Sequence, residues 1–355
     1  MLFKLITEFL NDYITNATVI LFIIISVLTL ILIIIKFSYI FWQNYILKVN
    51  SWMKPIFEEY IKNPNNTGIL PFYYLLFPNS SILHKYIVFR SFSETGKKFE
   101  LTAEAYNALK FHKVDLRNLN SIFWWKRAEA ARCLGQMRYK KAKPFLIEKL
   151  NDPVVEVRLI AAWSLGRIGD TDTILPSMEA LVNASRLAGM RLSSTVFEIG
   201  EKAIPVLSET LHHSDPAVRL LALHLLGEMR AVESIPVIKN KTVIDEDKEV
   251  RIAAYKSLGT ISHPSSLSIL IEGLKDVLWE VRAQSARGLG IIGSDEVIEP
   301  LVSALEDQKW WVRRNAGEAL FKLGIKGKAS LKQVLEKSCS EHARDMALQW
   351  LNEYI

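Results

Sequence analysis

One stretch of this sequence keeps returning. The segment DPVVEVRLIAAWSLGRIGD from Asp152 recurs as DPAVRLLALHLLGEMR from Asp215, DKEVRIAAYKSLGTIS from Asp247 and DVLWEVRAQSARGLGIIGSD from Asp276. An arginine marks the register at Arg127, Arg158, Arg219, Arg251, Arg282, Arg313 and Arg344. The wide gap between Arg158 and Arg219 is filled by Gly189 once Gly200 is aligned with Gly169 and Gly293. The spacings between marks then run 31, 31, 30, 32, 31, 31 and 31 residues. A fixed period of this length defines eight units, each too small to bury its own apolar face, so the units must stack on one another.

Within a unit, small or apolar residues fall three, seven and ten positions after the mark: Ala161, Leu165 and Ile168, then Leu192, Val196 and Ile199, and likewise Ala222, Leu226 and Met229. That spacing lies on one face of an α-helix. A second apolar helix precedes each, as in PFLIEKL from Pro144, IPVLSETL from Ile204 and IEPLVSAL from Ile298. Asp-Pro at Asp152 and Asp215 reads as an N-cap followed by a first-turn proline. The expected fold is all-α, a right-handed α-solenoid of about eight two-helix repeats preceded by one transmembrane helix. The units resemble short HEAT repeats, including those of phycobilisome-lyase-type proteins, over about Ser121 to Ile355. Gly189 in place of the arginine and Phe321 in place of the late glycine depart from the pattern.

The segment Val19–Ile35, VILFIIISVLTLILIII, holds no charge and with its flanks is long enough to cross the hydrocarbon layer. Glu8 and Asp12 spoil the basic region of a signal peptide, and no small-residue cleavage site follows. Tyr39, Phe41, Trp42 and Tyr45 suit the headgroup level, while Lys36, Lys48 and Lys54 precede the first acid after the span, Glu58. The expectation is a single-pass protein of the cell membrane with its N-terminus outside and the repeats cytoplasmic. The net charge of +6 supports this placement rather than nucleic-acid binding. Residues 36–127 carry 13 Lys and Arg against 6 acids, whereas residues 128–355 carry 30 of each. The basic excess thus sits beside the membrane segment. The domain boundaries read as a tail 1–18, a transmembrane helix 19–35, a basic juxtamembrane adaptor 36–120 and a solenoid 121–355. Cys133 and Cys339 have neither disulfide-framework nor metal-ligand spacing.

Several motifs imitate chemistry. Gly288, Gly290 and Gly293 spell GxGxxG, with Asp307 downstream where a dinucleotide site would carry an acid. A helix rather than a strand precedes them, and Leu289 and Ile292 take core positions, so no nucleotide is expected. Asp152, Asp245, Asp276 and Asp307 each lie six residues before an arginine, which predicts structural pairing along the stack rather than an anion site. Positions five and nine after the mark form a stripe: Arg132 and Gln136, Trp163 and Arg167, Ser194 and Glu198, His224 and Glu228, Lys256 and Thr260, Arg287 and Ile291, Glu318 and Lys322. Its mixed signs give no continuous phosphate-neutralising path. Glu198, His224 and Glu228 lack a second histidine, so no metal is expected, and no other cofactor either.

The residues assigned to partner binding are Trp163, Arg167, His224 and Glu228 on the stripe, with Trp279, Trp310 and Trp311 near the helix turns, because tryptophan and arginine anchor protein interfaces. Trp124 and Trp125 occupy the same register. The sequence predicts a non-enzymatic, membrane-anchored scaffold or regulatory adaptor for a protein partner. The chain is also similar to bacterial single-pass HEAT-repeat proteins, and that resemblance implies a membrane enzyme of a polysaccharide glycosyltransferase system as partner. The alternative implied by the repeat resemblance alone is a lyase or isomerase of the bilin-attaching type.

Overall fold

The computed structural model describes residues 19–41, 80–182 and 186–352, together with residues 43, 44, 48, 51, 55, 57 and 59. The tail 1–18, Trp42, Tyr45, Lys54 and the aromatic run from Phe72 lie outside the described residues. All regular structure among the described residues is helical. The chain divides into two compact units, Met1–Phe111 and His112–Ile355.

In the first unit an apolar helix runs Val19–Phe41, 23 residues and wholly exposed. At 1.5 Å per residue it is about 34 Å long, enough to cross a hydrocarbon core of about 30 Å. It extends beyond the uncharged stretch to include Lys36 and Tyr39. Its hydroxyls are satisfied internally: Ser26 donates to the Phe22 carbonyl at 2.8 Å and Thr29 to the Ile25 carbonyl at 2.6 Å. Helices Ser80–Ser91 and Gly96–Ala108 follow. Phe57, Ile87 and Tyr106 are fully buried there, and the Phe57 ring meets Tyr86 edge-on at 5.8 Å.

The second unit is the repeat array. Eight helices carry the register marks: Trp124–Gln136, Val155–Ile168, Arg186–Ile199, Pro216–Glu228, Lys248–Ile261, Trp279–Ile292, Trp310–Lys322 and Glu341–Asn352. We call these the marked helices. Each is preceded by a partner, from Phe111–Asn118 and Lys143–Lys149 through to Gly324–Lys337. The positions three and seven after the mark form the core, as periodicity requires: Ala161, Leu165, Ala222, Leu226, Ala254, Leu258, Ala316 and Leu320 are all fully buried. Each leucine contributes roughly 1.5 to 3 kcal/mol by leaving water.

Adjacent marked helices touch through small residues. A Cβ on Gly135 would lie 2.4 Å from Ser164, and one on Gly166 would lie 2.2 Å from the Thr195 methyl. A Cβ on Gly259 would meet the Cα of Gly288 at 2.7 Å, and one on Gly290 the Cβ of Ala319 at 2.6 Å. Each pair joins position eight of one unit to position six of the next. This seam explains the apparent dinucleotide motif: Gly288 and Gly290 are contact points between helices, and Gly293, at φ 78°, closes the helix in the left-handed region. At the eighth unit the sizes reverse. Phe321 replaces the glycine and packs against Trp350 at 6.0 Å between centroids, and Gly317 leaves room where a Cβ would stand 2.4 Å from the indole.

Candidate functional site: the interlocking turns and the aromatic edge

The residue six before each mark occupies a recurring slot. Its carbonyl accepts from Nη1 of its own unit's arginine: Ser121 from Arg127 at 2.9 Å, Asp152 from Arg158 at 2.8 Å, His213 from Arg219 at 2.8 Å and Asp245 from Arg251 at 2.9 Å. Asp276, Asp307 and Ser338 do the same for Arg282, Arg313 and Arg344 at 2.9, 2.7 and 2.8 Å. The slot side chain in turn accepts from the amide two residues on, whether it is Asp152, His213, Asp307 or Ser338. The turn between the helices is thus pinned twice by local bonds.

In three of the four described slots that hold aspartate, the carboxylate reaches back to the arginine of the preceding unit. Arg127 forks onto Asp152 at 2.7 and 2.8 Å, Arg219 onto Asp245 at 2.9 and 2.8 Å, and Arg282 onto Asp307 at 2.6 and 3.0 Å. The expected structural pairing exists, but between units rather than within one. The six-residue spacing belongs to the backbone bond. Arg158 has no aspartate to receive: Asp152 is taken by Arg127, and Asn183 stands at the matching position of the next unit. Arg251 also makes only its backbone bond, although Asp276 lies in the matching slot; nothing in the structure accounts for that open fork. Burial alone would raise the Asp152 carboxyl, but hydrogen bonds from Arg127 and the Val154 amide, with attraction to Arg127 and Lys149, hold it below its ordinary value. Asp307 is held low by the same balance, with Arg282 and the Lys309 amide as donors.

The two Asp-Pro turns also differ. Asp215 caps its helix, accepting from the Ala217 amide at 2.9 Å with Pro216 in the first turn, as expected. Asp152 does not cap: its helix starts at Val155, so Pro153 lies outside it.

On the stripe, the structure brings Trp163, Arg167 and Glu198 together. Arg167 bonds Glu198 at 2.8 and 3.0 Å across the unit boundary and lies 5.9 Å from the Trp163 ring. Glu198 thus pairs with Arg167, while His224 pairs with Glu228 at 3.3 Å one turn along its own helix. The stripe is not exposed throughout, since Gln136 is buried at 1% exposure against the core.

The tryptophans form two clusters rather than one edge. Trp310 and Trp311 meet at 4.7 Å with the Arg314 guanidinium 5.9 and 6.0 Å from the two rings. Phe123 stacks on Trp125 at 4.7 Å, Trp124 crosses Trp125 edge-on at 6.2 Å, and Lys126 lies over Phe123. Trp279 is partly buried against the core between them. Phe123, Lys126, Arg314 and the exposed Ile122 and Val277 were not singled out from the sequence. Their shared place in the register, next to the tryptophans, was the available signal.

The family model for HEAT repeats matches residues 116–195, 204–278 and 268–352. Solved structures of similar fold include the CpcE–CpcF complex of phycocyanin lyase from Nostoc sp. PCC7120, at 19% identity over 69% of this chain and 94% of that one, TM-score 0.29. Human deoxyhypusine hydroxylase matches at 17% identity over 76% of this chain and 99% of its own, TM-score 0.32. Kap121p bound to Nup53p matches at 12% identity over 76% of this chain, with TM-score 0.47, this chain spanning 37% of the karyopherin. No curated protein sequence matches. These neighbours differ widely in what they do, and none transfers an activity at such identity. The match to the family model extends over most of the chain and coincides with the interlocked helix pairs: the chain belongs to the HEAT-repeat family.

Proposed function

We propose that this chain is a non-enzymatic scaffold, tethered to the cell membrane by Val19–Phe41, that captures a protein partner through its HEAT array. The observation that carries this reading is the pair of exposed aromatic clusters, Phe123–Trp125 and Trp310–Trp311, each with a cation over its rings. Large aromatic side chains left half exposed beside arginine or lysine have the composition of interface anchors. The interunit arginines, by contrast, are consumed in holding the turns. Trp163, Arg167, His224 and Glu228 form the second proposed contact, and Trp279 is a further candidate near the helix turns. Lys36, near the C-terminal end of that helix, and Lys48 after it favour a cytoplasmic array with the N-terminus outside. A membrane enzyme, of the polysaccharide glycosyltransferase type that the sequence resemblance implies, is the partner proposed. Purification in mild detergent followed by partner identification tests this. Replacing Trp310 and Trp311 together with alanine should weaken capture by roughly 1 to 4 kcal/mol while leaving the melting temperature unchanged. Undiminished capture by that variant and by Trp163→Ala would remove the proposed surfaces.

A further inference from the structure

The slot of the eighth unit is occupied by Ser338. It performs both local tasks of the aspartates in other units: its carbonyl accepts from Arg344 at 2.8 Å and its Oγ accepts from the Ser340 amide at 3.1 Å. It lacks the charged oxygens that receive the preceding unit's arginine. That arginine is Arg313, buried at 9% exposure, whose Nη1 bonds the carbonyls of Asp307 and Gln308 at 2.7 and 3.1 Å. Its Nε is buried with no hydrogen-bond acceptor among the described residues. In the three closed units the equivalent Nε donates to an aspartate oxygen at 2.6 to 2.9 Å. A guanidinium is therefore held in place by its backbone bonds with half of its fork unused, and the residue in register with it carries a hydroxyl.

We propose that Ser338 is a phosphorylation site whose phosphoryl group is received by Arg313, closing the seventh and eighth units as aspartate closes the others. In the transfer, Ser338 Oγ attacks the γ-phosphorus of a nucleoside triphosphate bound by a protein kinase. The bond from that phosphorus to the β–γ bridging oxygen breaks, the nucleoside diphosphate leaves, and the hydroxyl proton passes to a base of the kinase. The ester oxygen stays in place to accept from Ser340. The terminal oxygens, one bond further out than those of aspartate, supply two acceptors and the charge that a planar guanidinium fork takes up. Ser338 is partly exposed and lies in the connection between Gly324–Lys337 and Glu341–Asn352, where a kinase has access. The acid bonded to it is Glu306, whose Oε1 accepts from the Ser338 hydroxyl at 3.4 Å and would turn outward from a phosphoryl group; Glu299 and Lys337 line the same depression.

The test uses the full chain in detergent with phosphoserine incorporated at position 338 and reads amide hydrogen exchange over residues 338–352. Phosphoserine should slow exchange there by roughly tenfold relative to Ser338, and Arg313→Gln should erase that difference. Ser338→Asp should reproduce part of the protection, and Glu306→Gln should enlarge it. Equal exchange in the phosphorylated and unmodified proteins, or protection that survives Arg313→Gln, overturns the assignment. Equal protection of the unmodified chain by inorganic phosphate would show a receptor for free anions and overturn the covalent source. Absence of phosphoserine at 338 in protein isolated from its own cells with phosphatases inhibited would do so too.

Discussion

The seam between the fifth and sixth marked helices and the seam between the seventh and eighth solve one problem in opposite ways. In the former, Gly259 faces Gly288 and the backbones themselves make contact. In the latter, Phe321 faces Trp350, and the indole's volume is accommodated by Gly317 one turn earlier on the same helix as Phe321. The repeat therefore closes each seam by whatever fills it, bare backbone in one place and two aromatic side chains with a glycine making room in the other. Cores in general behave this way, tolerating exchange of residues if volume is kept.

The largest effect should come from emptying the aromatic seam. Trp350→Ala removes a side chain 5% exposed and should cost about 3 to 5 kcal/mol, read by denaturant melts, with loss of protection confined to the last helix pair. Uniform loss across the array would show that this seam is not local. Gly317→Ala should destabilise the natural chain but be close to neutral when combined with Trp350→Ala; additive effects would deny that Gly317 exists for the indole.

Next in size is overfilling the glycine seam. Gly259→Ala forces two backbones apart and should cost about 1 to 3 kcal/mol, offset by roughly 1 kcal/mol from alanine's better helix propensity. A stabilised variant would show that the seam opens freely.

The turn arginines separate by whether they hold a carboxylate. Arg282→Ala strands Asp307 and should cost about 1 to 3 kcal/mol, whereas Arg158→Ala forfeits a backbone bond worth about 0.5 to 1.5 kcal/mol. Equal melting temperatures for the two variants would refute the interunit fork. The smallest effect is pH dependence. Asp152 and Asp307 have folded values below the ordinary 3.8, so their contribution is complete above that value and is lost as the pH falls through the lower folded value. Urea midpoints between about pH 5 and pH 2 should fall less steeply in the double variant Arg127→Ala with Arg282→Ala. Parallel curves would contradict this linkage.

The period, the eight units, the core positions and the apolar span were all legible in the sequence, because each rests on spacing along one chain. The direction of the forks was not. Asp152 lies 6 residues from Arg158 and 25 from Arg127, both separations recur in register, and only the stacking decides which side chain receives the carboxylate. Gln136 was misplaced for a similar reason: the stripe position is common to all units, but its burial depends on what covers that particular helix. Phe197 replaces the late glycine of the third unit just as Phe321 does in the seventh, but with the arginine missing there the register carries no sign of it. For the candidate surfaces, the sequence located Trp310 and Trp311 but not the clustering of Phe123 with Trp124 and Trp125, which depends on rotamers rather than period.

The third unit carries Gly189 where every other unit has a guanidinium, so the arginine that pins the turn elsewhere is missing from that position. In a row of elements joined only to their neighbours, one weak joint sets the mechanical behaviour of the whole. Under the proposed function, an array tethered at one end and loaded by a partner would behave as springs in series. Its extension under force should concentrate at the third unit, and restoring the local turn bond with Gly189→Arg should stiffen the protein without altering either end. Force spectroscopy on the two proteins would show an early, small yielding step in the natural chain that the variant lacks; identical traces would place the compliance elsewhere.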